Sequence, residues 1–269
     1  MSKAIPVFSY SFAGLNQRQT ENSSLVVRML SDDFCVFVLS EDKTVLSLER
    51  YAFTVGQTLT EKFDDMETVC KKAGAACKKN VFQLYTHVNT QIPKEFYVEQ
   101  LNISIADLLV PDSKEYVPAA EKIAKWKLYN LSLWNKDLRE KIYEKFPDYQ
   151  LKTVLGALLE KIADRPPKEE AFIFVENNNF TIIAANEKGL LAANCFAFET
   201  ESDFLYYSLA FLHKFHQNIH LLPVFLCGNI AQESPLYLSM NKYLPHVELM
   251  KGEAVNNSIE NNHYYGDIV

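Results

Sequence analysis

Short apolar runs separated by polar corners dominate the chain between residues 25 and 53. Leu25–Leu30 ends at Ser31-Asp32-Asp33, Phe34–Leu39 ends at Ser40-Glu41-Asp42-Lys43, and Thr44–Phe53 alternates apolar and polar in part. Runs of this length, rich in β-branched and aromatic residues and bounded by turn formers, predict a three-stranded antiparallel meander. The period then changes. From Glu61 to Lys79, the residues Phe63, Met66, Val69, Cys70, Ala73 and Cys77 recur at helical spacing. Thr60 is the expected cap, with Glu61 and Asp64 in the first turn, where negative charge suits the helix dipole. A strand over Val81–Val88 follows.

The second half repeats the plan. Ala171–Val175 ends at Glu176-Asn177-Asn178-Asn179, Phe180–Ala185 ends at Asn186-Glu187-Lys188-Gly189, and Leu190–Phe198 completes a second meander. A helix is expected over Ser202–His216, opened by Thr200 with Asp203 three residues on, the spacing of a capping box. A strand over Leu221–Leu226, a helix over Ser234–Tyr243 and a short strand over His246–Met250 complete it. Phe34–Glu41 and Phe180–Glu187 match in spacing, and Tyr51-Ala52-Phe53 matches Phe196-Ala197-Phe198 after a one-residue length difference. Agreement in both order and residues predicts an internal duplication.

Between the halves the pattern is more helical, with helices expected over Lys136–Phe146 and Lys152–Ala163 and a strand within Ala124–Trp134. Pro93–Ala106 fits neither period. The stretch from Asp164 to Glu170 holds Pro166, Pro167 and five charged residues. Such a stretch neither continues a helix nor joins a central strand. It divides the chain into an N-terminal lobe with a helical insertion, residues 1–167, and a C-terminal lobe with a polar tail, residues 168–269.

Composition narrows the function classes. A hydrophobic share of 48% fits a globular protein. No apolar run approaches the roughly 18–20 residues needed to span a bilayer, so no membrane insertion is expected. The first residues do not read as a signal peptide. Five scattered cysteines without a CxxC fit a reduced, cytoplasmic protein. The net charge is −7, and basic residues cluster only briefly, as in Lys71-Lys72 and Lys78-Lys79. Nucleic acid is therefore not an expected partner. Eight glycines among 269 residues is under half the usual share of about 7%, and all eight are isolated. Phosphate-cradling loops need clustered glycines, and neither GxGxxG nor a P-loop occurs. No cofactor is expected.

Asn194, Phe196, Phe198, Thr200, Asp203, Phe204, Tyr206 and Tyr207 read Asn-x-Phe-x-Phe-x-Thr-x-x-Asp-Phe-x-Tyr-Tyr. Together with the repeated plan, this resembles the signature of a bacterial family described as a domain of unknown function with a duplicated actin-like (ribonuclease-H-like) fold. The resemblance implies an α/β class with mixed sheets, in two lobes around a cleft. Actin-like ATPases carry an Asp-x-Gly-Ser/Thr turn after the first strand of each half, where Asp organises Mg²⁺ and Gly admits phosphates. The matching turns here are Ser31-Asp32-Asp33-Phe34 and Asn177-Asn178-Asn179-Phe180, both without glycine. Only Gly228 stands where adenine-binding relatives have paired glycines. The cleft candidates are thus Asp32, Asp33, Asn177, Asn178 and Gly228, and the motifs for ATP hydrolysis are missing.

Other chemistry is weaker. His213, His216 and His220 lack a carboxylate or thiol at matching local spacing, so no metal site is assigned. Asp32, Asp33 and Glu41 read as turn formers before they read as nuclease carboxylates. Cys195 and Cys227 lie in apolar strands, and no catalytic residue is assigned. Tyr206, Tyr207, Trp126 and Trp134 fit either core packing or an interface. The expectation is a non-catalytic actin-like scaffold with a protein partner or a homodimer. The alternatives are a nucleotide-binding actin-like ATPase with a degenerate phosphate site, and a metal-dependent nuclease.

Overall fold

The computed structural model describes residues 4–11, 22–42, 44–73 and 77–250. These form two compact units: the first takes those up to 86, 100–119 and 133–157, and the second takes 87–99, 120–132 and those from 158 onward.

An edge strand, β1 (Ile5–Ser11), precedes the first meander, which comprises β2 (Ser24–Met29), β3 (Asp33–Leu39) and β4 (Val45–Ala52). Helix α1 (Leu59–Ala73) and strand β5 (Lys79–Leu84) come next. The middle of the chain contains β6 (Asn89–Pro93), helix α2 (Asn102–Leu109), β7 (Tyr116–Ile123) and β8 (Leu128–Asn135). It ends with α3 (Lys136–Lys145), β9 (Gln150–Thr153) and α4 (Val154–Asp164). The second meander is β10 (Glu170–Glu176), β11 (Asn179–Asn186) and β12 (Gly189–Ala197). Helix α5 (Glu201–Phe215), β13 (Val224–Gly228), α6 (Pro235–Tyr243) and β14 (Val247–Leu249) complete the described chain.

The sheet of the first unit runs β1-β4-β3-β2-β5-β9, and that of the second runs β12-β11-β10-β13-β14. From β4 and β12 inward the two orders coincide. Both meanders are antiparallel, and in both the first meander strand pairs in parallel with the strand after the helix. The duplication read from the sequence is present in the sheets. A third sheet runs β6-β8-β7.

Central strands explain why their sequences are continuously apolar. Every residue of β3 and of β10 is buried, as expected for strands covered on both faces. In the second unit, Ile173 and Val175 of β10 and Phe180 and Ile182 of β11 pack with Phe204 and Leu212 of α5 and Met240 of α6. In the first, Val27, Phe34, Val36 and Phe82 pack with Phe63 and Met66 of α1 and Ile142 of α3.

Several elements depart from the sequence reading. The N-terminal arm contains β1, whose Pro6 is tolerated because an edge strand has one unpaired side. The cap of α1 is Thr58 rather than Thr60: its hydroxyl accepts from the Glu61 N–H at 3.3 Å, and the Glu61 carboxylate accepts from the Thr58 N–H at 3.0 Å. That helix is described over Leu59–Ala73, and Cys77 lies outside it. The helix expected from Lys152 starts at Val154, because Gln150–Thr153 pairs in parallel with β5. The Thr153 hydroxyl then accepts from the Gly156 N–H at 2.9 Å.

Candidate functional site

The two sheet corners where the sequence placed its candidates can be superposed bond for bond. The Phe53 N–H donates to the Asp32 carbonyl and the Phe198 N–H to the Asn178 carbonyl, both at 2.9 Å. The Tyr85 N–H donates to Met29 O at 3.1 Å, and the Asn229 N–H to Val175 O at 2.7 Å. Asp32 therefore corresponds to Asn178, Asp33 to Asn179, and Leu84 to Gly228. The aromatic pairs also correspond. Phe34 lies 5.2 Å from Tyr51 and 5.3 Å from Phe53, while Phe180 lies 5.3 Å from Phe196 and 5.9 Å from Phe198.

At the first corner, Asp32 is exposed in the turn and Asp33 is buried at the start of β3. Arg50, opposite Cys35 on β4, donates to Asp33 Oδ2 from Nε at 2.9 Å and again from its terminal amine. Burial pushes the Asp33 carboxyl up, the Arg50 charge and hydrogen bond draw it back, and the Asp32 charge adds to the rise. Its charge is neutralised within the sheet. On the same face, buried Arg28 of β2 donates from Nε to Gln83 of β5 at 2.9 Å and sits 5.8 Å over the Phe37 ring.

At the second corner, Asn177 and Asn178 form the turn between β10 and β11. The Asn229 side chain donates to the Asn177 amide oxygen at 2.7 Å. Gly228 ends β13 with φ +89°, and a Cβ there would lie 2.1 Å from the Val175 carbonyl oxygen. Close approach of two strands accounts for this glycine.

A Mg²⁺-nucleotide fits these residues poorly. The first corner's buried carboxylate already has a cation, the second offers amides, and neither turn supplies glycine N–H groups. Asp32 and Glu41 sit in turns at opposite ends of β3, whose 7 residues span about 23 Å at strand rise. They cannot form one two-metal site with Asp33.

The remaining candidates separate. His216 is buried with Nδ1 at 2.9 Å from Glu169, whereas His213 and His220 are exposed. Among the described residues no three His, Cys, Asp or Glu side chains converge as metal ligands. Cys227 is buried, and Cys195 Sγ lies 3.2 Å from the Thr181 hydroxyl. Trp134 is core, Trp126 packs beside Gly189, and Tyr206 is exposed next to Tyr207, which stacks on Phe196 at 5.4 Å.

Each unit also has a surface hollow. One, of about 360 Å³, is lined by Cys70, Asn80, Lys145, Phe146 and Tyr149 among others. Burial pushes both the Cys70 thiol and the Tyr149 hydroxyl up, which disfavours their ionised, nucleophilic forms. The other, of about 230 Å³, is lined by Trp126, Arg165, Pro166, Pro167 and Gly189. Arg165 there lies over the Phe172 and Phe225 rings at 5.3 and 5.2 Å.

A family model described as a protein of unknown function (DUF3822) matches residues 13–247. The chain belongs to this family. As a member of DUF3822 it is similar, at TM-score 0.75 and 16% identity, to a Bacteroides thetaiotaomicron protein with an actin-like ATPase fold and unknown function. That match covers 94% of this chain and 98% of the other. It is also similar to a chain of the PilM-PilN type IV pilus biogenesis complex, at TM-score 0.62 and 12% identity, over 91% of this chain and 96% of that one. No curated protein matches. The fold of this chain is thus actin-like. Among the described residues no helix is long and apolar enough to cross a membrane.

Sequence reasoning missed Arg50, Arg28 and Gln83. Their only signal was polarity inside apolar strands, and a buried charge calls for a partner.

Proposed function

We propose that this chain is a non-catalytic, actin-like scaffold whose working partner is another protein. The observation that carries this reading is the Asp33–Arg50 pair: the buried carboxylate at the first corner is neutralised by its own sheet. At the matching position of the second corner stands Asn179. The similarity to a chain of the PilM-PilN complex gives an example of this fold engaged with a protein partner.

The competing reading is a nucleotide-binding protein using Asp32, Asp33, Asn177, Asn178 and Gly228. Thermal denaturation with and without Mg-ATP separates the two. Ligand at a hundred times its dissociation constant stabilises by about 2.7 kcal/mol. The scaffold reading expects no shift at millimolar Mg-ATP, and a shift that disappears in Asp32→Asn would overturn it.

A further inference from the structure

Helix α2 is placed against the usual logic of a surface helix. Its sequence, Asn-Ile-Ser-Ile-Ala-Asp-Leu-Leu, is apolar at five of eight positions, yet its only buried residue is Ala106. Ile103 is 67% exposed and Leu108 87% exposed, and Leu101 and Leu109 are exposed beside them. Leu108 lies about 200° round the helix from Ala106, so it points away from the protein. A surface helix ordinarily turns its apolar stripe inward and its polar side outward. Leu108, with Leu101 exposed on the same side of the helix and Leu109 exposed next to it, marks a binding surface.

Charge decides what covers it. Asp107 in this helix and Glu99, Asp112 and Glu115 beside it outnumber the neighbouring Lys114, within a chain of net charge −7. A second copy would bring the same acids together, and an anionic lipid surface would repel them. We propose that the outward face of α2 docks an amphipathic segment of another protein, with an apolar stripe edged by Lys or Arg. This inference rests on the scaffold reading and names the chemistry of its partner. The outward leucines would supply contact, and the acids would select the basic edge and set a salt-dependent on-rate.

The test uses the full chain and two fluorescent 18-residue helical peptides with the same leucine spacing, one with lysine and one with glutamate at the polar positions. The lysine peptide should bind at least tenfold more tightly, and weaken as salt rises. The Leu108→Asp variant should lose binding at least tenfold although it adds a negative charge, with a melting curve like wild type because Leu108 is on the outward side of the helix. Undiminished binding by that variant would mean bare charge attraction and overturn the proposal. Equal binding of both peptides would do so too, as would a wild-type dimer that Leu108→Asp dissociates. The peptide assay is independent of the Mg-ATP melt. Peptide failure with no ATP shift overturns only the docking face, whereas an ATP shift that Asp32→Asn abolishes overturns the scaffold reading itself.

Discussion

The two repeated sheets share a backbone and differ in what fills one face. Beside the packed cores, both place Phe34 or Phe180 against the same two aromatic positions. On the opposite face the first sheet carries Arg28, Asp33, Arg50 and Gln83, linked as two hydrogen-bonded pairs. The second has Phe174, Asn179, Cys195 and Cys227 in the matching places, from the shared register. The helix-facing side, which has to bury its apolar area against a helix, has kept its chemistry in both copies. The other side is charged in one copy and uncharged in the other. The corner acid of this chain accordingly belongs to the internal economy of a sheet.

The largest effect is expected from breaking the first sheet's pair. Arg50→Met leaves Asp33 buried without its cation, which costs about 3–5 kcal/mol. Adding Asp33→Asn, the residue of the second copy, should restore most of that loss, because replacing both partners removes the uncompensated charge. Urea denaturation of wild type, both single variants and the double variant gives the coupling directly. Additive losses would show that the pair does not act as a unit.

Next in size is the second sheet's own peculiarity. Gly228→Ala puts a Cβ against the Val175 carbonyl at a residue with φ +89°. Positive φ and overpacking together cost about 2–3 kcal/mol. Leu84, the matching residue, carries a side chain, and among the described residues Lys127 is the only non-glycine with positive φ. A Leu84→Ala variant therefore tests ordinary burial, and the two melts should differ in cause: Gly228→Ala loses stability by adding atoms, Leu84→Ala by removing them.

The shared features were the legible ones. Aromatic-Ala-aromatic at the end of each third strand, and equal spacing from Phe34 and Phe180, are local patterns, and they mark the register the sheets adopt. The family resemblance rested on the same stretch. What differs between the copies was not legible, because it depends on pairs far apart in sequence. Asp33 and Arg50 lie 17 residues apart, and Asp33 by itself reads as a turn former. Strand β9 was hidden for another reason. Its four residues pair with β5 from across the chain, and its last one caps the helix whose start the apolar stripe predicted too early.

Each meander leads to a helix opened by a threonine and an acid three residues on, which makes a matched pair of smaller tests. Thr58 and Glu61 exchange bonds in the first copy, Thr200 and Asp203 in the second. Thr58→Ala and Thr200→Ala should each lower stability by about 1 kcal/mol. The Asp203 carboxyl is lowered by the Thr200 side chain first, then by the Thr200 and Glu199 main chain. A depressed carboxyl contributes stability above its ordinary range and loses it as pH falls through the lowered value. Thr200→Ala should therefore flatten the acid limb of the stability profile as well as lower the plateau.

The smallest effect appears only at high pH, where Tyr51 has no ionisable counterpart in Phe196. The Tyr51 hydroxyl donates to Glu49 at 2.6 Å. Burial, then that hydrogen bond and the Glu49 charge, raises its ionisation from the ordinary value to about 12. An unfolded tyrosine ionises near pH 10. Between those values the unfolded chain gives up a proton that the folded one retains, so the contribution is complete below pH 10 and is lost as pH rises towards 12. Tyr51→Phe gives the first sheet the second sheet's residue and removes this drain. Its urea midpoint should fall less steeply than wild type between pH 9 and 11, while the Tyr149 contribution is common to both and cancels. Parallel slopes would mean that the hydroxyl of Tyr51 titrates alike in the folded and unfolded chains.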